Sequence, residues 1–302
     1  MGALSQSTVD SPPPLAPGAE PASPARLWAA RGLLLTLVKR DIKVKYKESF
    51  LGFFWSFAKP LFLMIILTIV FKKVVKLPLS NPLVPYELHL LVGLIPWLLL
   101  LNGLADAMHS IVANSNLLKK VQVTAEVFPL AAVMSNTVHF GFSLIVLGGF
   151  LAWYGIGLDT PIVLLPVALG IQLVFMVGLA LLLSSLSVVF RDIVSIFEVL
   201  TTGWFYATPI FYDYGLFAGF IRDNPEYAWA HWVFALNPMV GITAAYRRAL
   251  LYNGERAAQG GLEMSDALLF QHLVVSLAMA VAVLIIGMLV FRRLRGVFAD
   301  RL

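Results

Sequence analysis

Six stretches of this chain stay apolar for about as long as a helix needs to cross a bilayer, and that leaves almost no room for a water-soluble fold. They cover residues 51–74, 88–112, 130–154, 162–190, 193–211 and 267–291. Each is near the ~20 residues that span the hydrocarbon core. Composition agrees: of 302 residues 59% are hydrophobic and only 13% charged, against about 25% charged in soluble domains. So few charges cannot clothe a soluble surface. The expected fold is an all-α polytopic membrane protein with six transmembrane helices.

Orientation follows from where the cations fall, because Lys and Arg accumulate on cytoplasmic flanks. With both termini in the cytoplasm, the cytoplasmic segments hold 14 Lys and Arg and the outer segments 7, with Lys59 inside the first span. Lys72, Lys73 and Lys76 in the first outer loop run against the trend. The fourth and fifth spans are parted only by Arg191 and Asp192, a tight polar turn.

Two segments outside the spans have a character of their own. Residues 27–47 form a basic amphipathic pattern. At 100° per residue Leu27, Trp28, Leu34, Leu35, Val38 and Ile42 share one arc, and Lys39, Arg40, Lys43 and Lys47 the opposite one. Arg31 and Lys45 break the pattern, although long basic stems can snorkel. Such a helix before a span belongs in the interface plane; read more plainly, its cations are only a topology signal. Residues 212–266 hold two short apolar runs divided by Asn237-Pro238. Runs too short to span, split by proline, fit re-entrant helices sheltered by protein or a cavity, or else an ordinary folded loop. The first 25 residues are rich in Pro, Ser, Ala and Gly, carry only Asp10 and Glu20, and lack the basic start of a signal peptide. They read as a flexible tail.

Soluble-enzyme chemistry is excluded class by class. There is no cysteine, so thiolate nucleophiles and Cys-ligated zinc are out. His89, His109, His139, His231 and His272 form no HExxH pair, and neither GxxxxGK[ST] nor GxSxG occurs. Without a Walker loop, the chain has no nucleotide-phosphate cradle of its own. Glu198 is the one acid well inside a span, either a functional group or a structural partner of Arg191. Asp106 and His109, at i and i+3, either share a proton or cap the inner end of the second span. The aromatic run Trp204, Phe205, Tyr206, Phe211, Tyr212 and Tyr214 is denser than an interfacial belt requires. Aromatic faces stack on sugar rings, so a glycan conduit stands beside the belt as an explanation.

The stretch LVKRDIKVKYKESFLGFFWSFAKPL, residues 37–61, resembles the opening of polysaccharide-export ABC transporter permeases, a pattern of the kind RDxKxxYxxSxLGxxWxxxxPL. Arg40, Asp41, Lys43, Tyr46, Ser49, Leu51, Gly52, Trp55, Pro60 and Leu61 occupy it. Gly93, Pro96 and Trp97, then Arg191-Asp192, Pro209, Asn237-Pro238 and Tyr246-Arg247 extend the resemblance along residues 27–302, leaving the proline-rich head outside it.

The resemblance implies the transmembrane subunit of an O-antigen, teichoic-acid or related glycan exporter in the bacterial inner membrane, with residues 26–302 as its transmembrane domain. It implies a homodimer joined to two separate ATP-binding subunits, which would hold ATP and magnesium; the chain itself would need no cofactor, metal or nucleic acid. The substrate would be a glycan on undecaprenyl diphosphate. Its pyrophosphate would meet Arg40, Lys39, Lys43, Lys45, Lys47 and Lys59 at a cytoplasmic gate, and its sugars would pass Trp55, Trp97, Trp204, Tyr206, Tyr212 and Tyr214. Asp41, Lys119, Lys120, Arg191 and Asp192 would couple to the ATPase, and residues 212–266 would gate the exit. Two rivals are a drug or small-lipid ABC exporter and a membrane enzyme acting on polyprenyl phosphates; the second needs clustered acids or a metal site.

Overall fold

The computed structural model describes residues 30–46, 55–120, 124–157, 159–252 and 254–301. The proline-rich tail, Lys47, and the motif positions Ser49, Leu51 and Gly52 lie outside the described residues. Among the described residues every regular element is a helix: α1 (Arg31–Tyr46), α2 (Trp55–Leu67), α3 (Tyr86–Ala113), α4 (Ser115–Lys120), α5 (Val127–Trp153), α6 (Leu164–Val189) and α7 (Ile193–Tyr206). Then follow α8 (Tyr214–Asp223), α9 (Ala230–Leu236), α10 (Pro238–Leu251), α11 (Gly254–Gly260), α12 (Asp266–Leu294) and α13 (Phe298–Arg301), with short 3-10 turns between some of them.

Among the described residues four helices are long and apolar enough to cross a membrane: Tyr86–Ala113, Val127–Trp153, Thr160–Val189 and Asp266–Val297. They coincide within a few residues with the second, third, fourth and sixth expected spans. The first expected span is described from Trp55, as α2 continuing into the wider-wound π-helix Thr68–Val74. The fifth stops early. α7 has 14 residues, about 21 Å at 1.5 Å per residue, and ends three residues before Pro209. Proline disfavours helical backbone in the residue before it, so Thr208 turns out of the helix and its hydroxyl bonds back to the Trp204 carbonyl at 2.9 Å.

α3 is the hub. Most of its length is buried, including Leu88, Leu90, Leu94, Leu100 and Leu104 at 0% exposure, and α2, α5, α6 and α10 all pack on it. It starts after Pro85, with Glu87 in its first turn, where a carboxylate favours the positive end of the helix dipole. The C-terminus of α5 closes by backbone alone. Gly155 takes φ +64°, and the Gly155 and Ile156 amides donate to the carbonyls of Ala152 (3.0 Å) and Leu151 (2.8 Å), a Schellman turn that glycine favours.

The closest helix contact joins α6 and α12. A Cβ on Gly178 would sit 2.6 Å from the Leu284 amide nitrogen, and one on Gly287 would sit 2.2 Å from the Gly178 carbonyl oxygen. In lipid, where burial of apolar surface drives little, such close backbone approach through small residues is what holds helices together. At the α1 end of the bundle a second apolar cluster (Leu37, Val38, Ile111, Phe128, Phe291 and Phe298) ties α1 to α3, α5 and the end of α12. Gly287→Ala should cost on the order of 1–3 kcal/mol by overpacking, seen as a lowered unfolding temperature in detergent. Gly141→Ala, whose Cβ would meet nothing within 4 Å, should not lower that temperature, since alanine favours the helix over glycine.

Candidate functional site

At the α1 end, one face of α1 leans over α3 and α5 and encloses a cleft of about 450 Å3. Leu37, Arg40, Asp41, Val44 and Lys45 line it, a spacing of 3, 4, 7 and 8 residues that defines one helix face. The Arg40 guanidinium donates to Asp41 Oδ1 (3.0 and 2.8 Å) and to Asn114 Oδ1 (2.8 Å). Lys45 Nζ reaches Asp106 Oδ2 at 3.4 Å and Asn136 Oδ1 at 3.3 Å, while Asn136 Nδ2 donates to Asp106 Oδ2 at 2.8 Å.

Lys45, which broke the amphipathic pattern, therefore points at a carboxylate on α3. Leu35, placed on the apolar arc by periodicity, is exposed, and Leu37 and Val38 are the residues buried. Lys39 and Lys43 are exposed, and Lys59 is exposed on α2. Asp106 bonds to α1 and α5, and His109 lines the same cleft. Lys119 on α4, and Arg191 and Asp192 in the α6–α7 turn, are exposed at this same end. The Ser187 hydroxyl, near the end of α6, donates to the Met108 carbonyl of α3 at 2.7 Å. Lys120 and Trp55 are placed as helix backbone.

The expected conduit aromatics divide. Trp97 is buried, edge-on to Trp204 (5.6 Å) and Phe205 (5.8 Å). Trp204 Nε1 donates to Asn237 Oδ1 at 2.9 Å, the same oxygen that accepts from the Met239 amide and caps α10, a favoured N-cap with Pro238 at the first position. These two indoles pack against the chain's own helices. Tyr214 is buried beside His231, its hydroxyl 3.4 Å from Nδ1. Tyr212 is half-buried, its hydroxyl donating to the Tyr206 carbonyl at 2.9 Å, and the Tyr206 ring is 59% exposed. Glu198 is exposed on α7.

Sequence reasoning missed the strongest electrostatic feature. Arg247, 0% exposed, donates from Nη1 to Glu263 Oε1 (2.9 Å) and from Nη2 to the Ile210 carbonyl (2.8 Å). Glu263 also accepts from the Tyr214 amide at 3.0 Å. Gly93 of α3 lets the guanidinium in, since a Cβ there would lie 3.0 Å from Nη2. Burial pushes the Glu263 carboxyl above its ordinary range, and the Arg247 charge opposes that rise. A signal was present: Arg247 and Arg248 are the only charges in an apolar run, and the acids Glu263 and Asp266 follow 16 and 18 residues later, Arg248 bonding Asp266 at 2.9 Å. Among the described residues no group of three or more His, Asp or Glu is arranged to hold a metal.

Removing one partner of a buried pair leaves an uncompensated charge, at about 3–5 kcal/mol. Arg247→Met should therefore lower the unfolding temperature sharply, and adding Glu263→Met should restore part of the loss in a double-mutant cycle.

Residues 32–251 match the model of a family described as ABC-2 type transporter. An O-antigen export system permease protein RfbA from Myxococcus xanthus is 34% identical over 229 residues, 75% of this chain and 82% of that protein. Two proteins of the same name from Klebsiella pneumoniae are each 28% identical over 270 residues, 89% of this chain and 94% of theirs. The chain belongs to the ABC-2 type transporter family, the membrane-embedded permeases of ABC transporters.

Proposed function

We propose that this chain is the membrane subunit of an ATP-driven exporter that moves a lipid-linked polysaccharide of the O-antigen type across the bacterial inner membrane. The observation that carries the reading is similarity to O-antigen export permeases over most of the chain, including 89% of it in the Klebsiella pneumoniae proteins. The working unit is a homodimer with two separate ATP-binding subunits, which bind ATP and magnesium. Six spans result when α2 with its π-helical continuation, and α7 with the residues up to Phe211, join the four long helices. The excess of Lys and Arg at the α1 end favours cytoplasmic termini.

α1 lies in the cytoplasmic interface and receives the diphosphate of the substrate. A diphosphate needs cations, since burying uncompensated charge costs several kcal/mol. Arg40 and Lys45 face the cleft, and Arg can grip phosphate bidentately. Both are engaged by Asp41, Asn114, Asp106 and Asn136, so substrate enters by exchange: its phosphate oxygens replace those acceptors. The exchange is cheap because the pairs are half-exposed, where ion pairs contribute ~0–1 kcal/mol. Lys119 and the Arg191-Asp192 turn face the ATP-binding subunit, and α8 to α10 form the gate on the far side, with α10 re-entrant.

Four outcomes are expected. The purified chain alone should hydrolyse no ATP. Joined to its ATP-binding subunit it should do so, with stimulation by undecaprenyl-diphosphate-linked glycan and not by hydrophobic drugs; turnover by the chain alone, or the reverse preference, overturns the reading. Arg40→Ala with Lys45→Ala should insert normally and export about tenfold more slowly, since two half-exposed cations that meet the diphosphate are lost at up to ~1 kcal/mol each. Arg191→Ala should uncouple ATP hydrolysis from export without affecting insertion; unchanged coupling would make that turn a topological feature only.

A further inference from the structure

At the α8 end a second cleft, about 850 Å3, runs along α8 from Asp213 to Asn224. That volume falls within the ~300–1,000 Å3 typical of pockets for small organic ligands. It exists because a strap, Pro78–Leu79–Ser80, is held against the start of α8. Asp213 caps the helix by accepting from the Leu216 amide at 3.0 Å, and its other oxygen takes the Ser80 amide. The approach is tight enough that a Cβ on Gly215 would collide with the Ser80 hydroxyl. A buried carboxylate and a glycine therefore fix one wall to the other.

The lining combines aromatic faces with carboxylate and amide groups. Tyr206 and Phe220 are 59% and 49% exposed, so each offers a ring face. Phe217 is stacked on Phe234 with centroids 3.6 Å apart, which anchors the wall it belongs to. Tyr212 is held by its hydroxyl bond to the Tyr206 carbonyl. At the far end Asp223 and Asn224 carry hydrogen-bonding groups. Aromatic rings that meet the C–H face of a pyranose, with carboxylate and amide groups at its hydroxyl edge, are the chemistry of sugar binding. Hydrocarbon tails would leave the polar end unsatisfied.

Charge narrows the ligand further. The charged side chains lining the cleft are Asp213 and Asp223, and among the described residues no Lys or Arg lines it. Arg222 approaches Asp223 at 3.4 Å, and both side chains are largely exposed, where water screens them; the less screened charge is that of Asp213, 1% exposed. A uronic acid or phosphorylated sugar would meet like charge; a neutral sugar would not.

We infer that the cleft between the Pro78–Ser80 strap and α8 is a carbohydrate-binding subsite selective for uncharged sugar residues, holding a short run of the polysaccharide where it leaves the protein. This rests on the export reading and adds to it a site and a charge preference. The cleft gives the emerging chain a place to rest between strokes, so that thermal motion does not return it to the conduit.

The test uses the complex of this chain with its ATP-binding subunit in nanodiscs. Binding of a neutral probe, isomaltoheptaose, is compared with an oligogalacturonate of the same length. The neutral probe should bind at least fivefold more tightly. Phe220→Ala should weaken it at least fivefold, and Asp223→Lys should raise affinity for the oligogalacturonate. Gly215→Val, which drives the strap off α8, should abolish binding; Gly141→Ala, far from the cleft, should not. Equal binding of both probes, absence of neutral binding, or indifference to Phe220→Ala overturns the proposal. ATPase stimulation by lipid-linked glycan is read in the same preparations: if it persists while the cleft variants change nothing, the export reading stands and the subsite fails. If stimulation is absent from the unmodified complex as well, the export reading fails.

Discussion

One buried charge governs the architecture of the α8 end. The Arg247 guanidinium cannot stay in an apolar interior without a counter-charge, because an unpaired buried charge costs several kcal/mol. Glu263 supplies the counter-charge and the Ile210 carbonyl takes a second donor. Satisfying this group draws together pieces far apart in sequence: α10, the segment leading into α12, the end of the α7–α8 connection, and the α3 backbone at Gly93. Through the Tyr214 amide the same carboxylate reaches the start of α8, where Asp213 takes over and pins the strap. The geometry of this end descends from that pair by a chain of hydrogen bonds.

The α1 end is built on the opposite principle. Its ionic contacts are surface contacts: Arg40 with Asp41, and Lys45 with Asp106 at 3.4 Å, all with substantial exposure. Each is worth ~0–1 kcal/mol and is screened by salt. A helix attached by an apolar seam of Leu37 and Val38 and by such weak polar contacts can part from its neighbours and reseat at little cost. The receiving gate proposed for α1 needs that property; the exit scaffold proposed for the α8 end does not.

Much of this was legible in the sequence, for identifiable reasons. The four long helices were readable because lipid as solvent demands long apolar runs with internally satisfied backbone, and their ends fell where Pro85, Gly155 and the Arg191-Asp192 turn dictate. The two runs around Asn237-Pro238 became α9 and α10, since Asn followed by Pro is an N-cap signal as well as a break. What stayed hidden were properties of partnership. Nothing in the pattern around Trp97 and Trp204 distinguishes an indole packed inside a protomer from one facing a passage. Periodicity put Lys45 on the apolar face without a reason for it and put Arg40 on the opposite arc, because it knows nothing of Asp106, 61 residues from Lys45, or Asn114, 74 residues from Arg40. Arg247 looked like one more loop cation until the fold brought Glu263 to it.

The contact between Gly178 and Gly287 has a mechanical consequence. Two helices whose backbones touch with no room for a Cβ cannot slide, rotate or tilt against each other without rupturing the seam. α6 and α12 therefore act as a stator, a fixed post in the machine. With α10 lodged against them and α3 across its other side, relative motion is left to the outer parts that pack less closely: α1 at one end and α7 along the flank. Stroke length is set by how far those peripheral elements swing about an unyielding spine, and two glycines fix that spine.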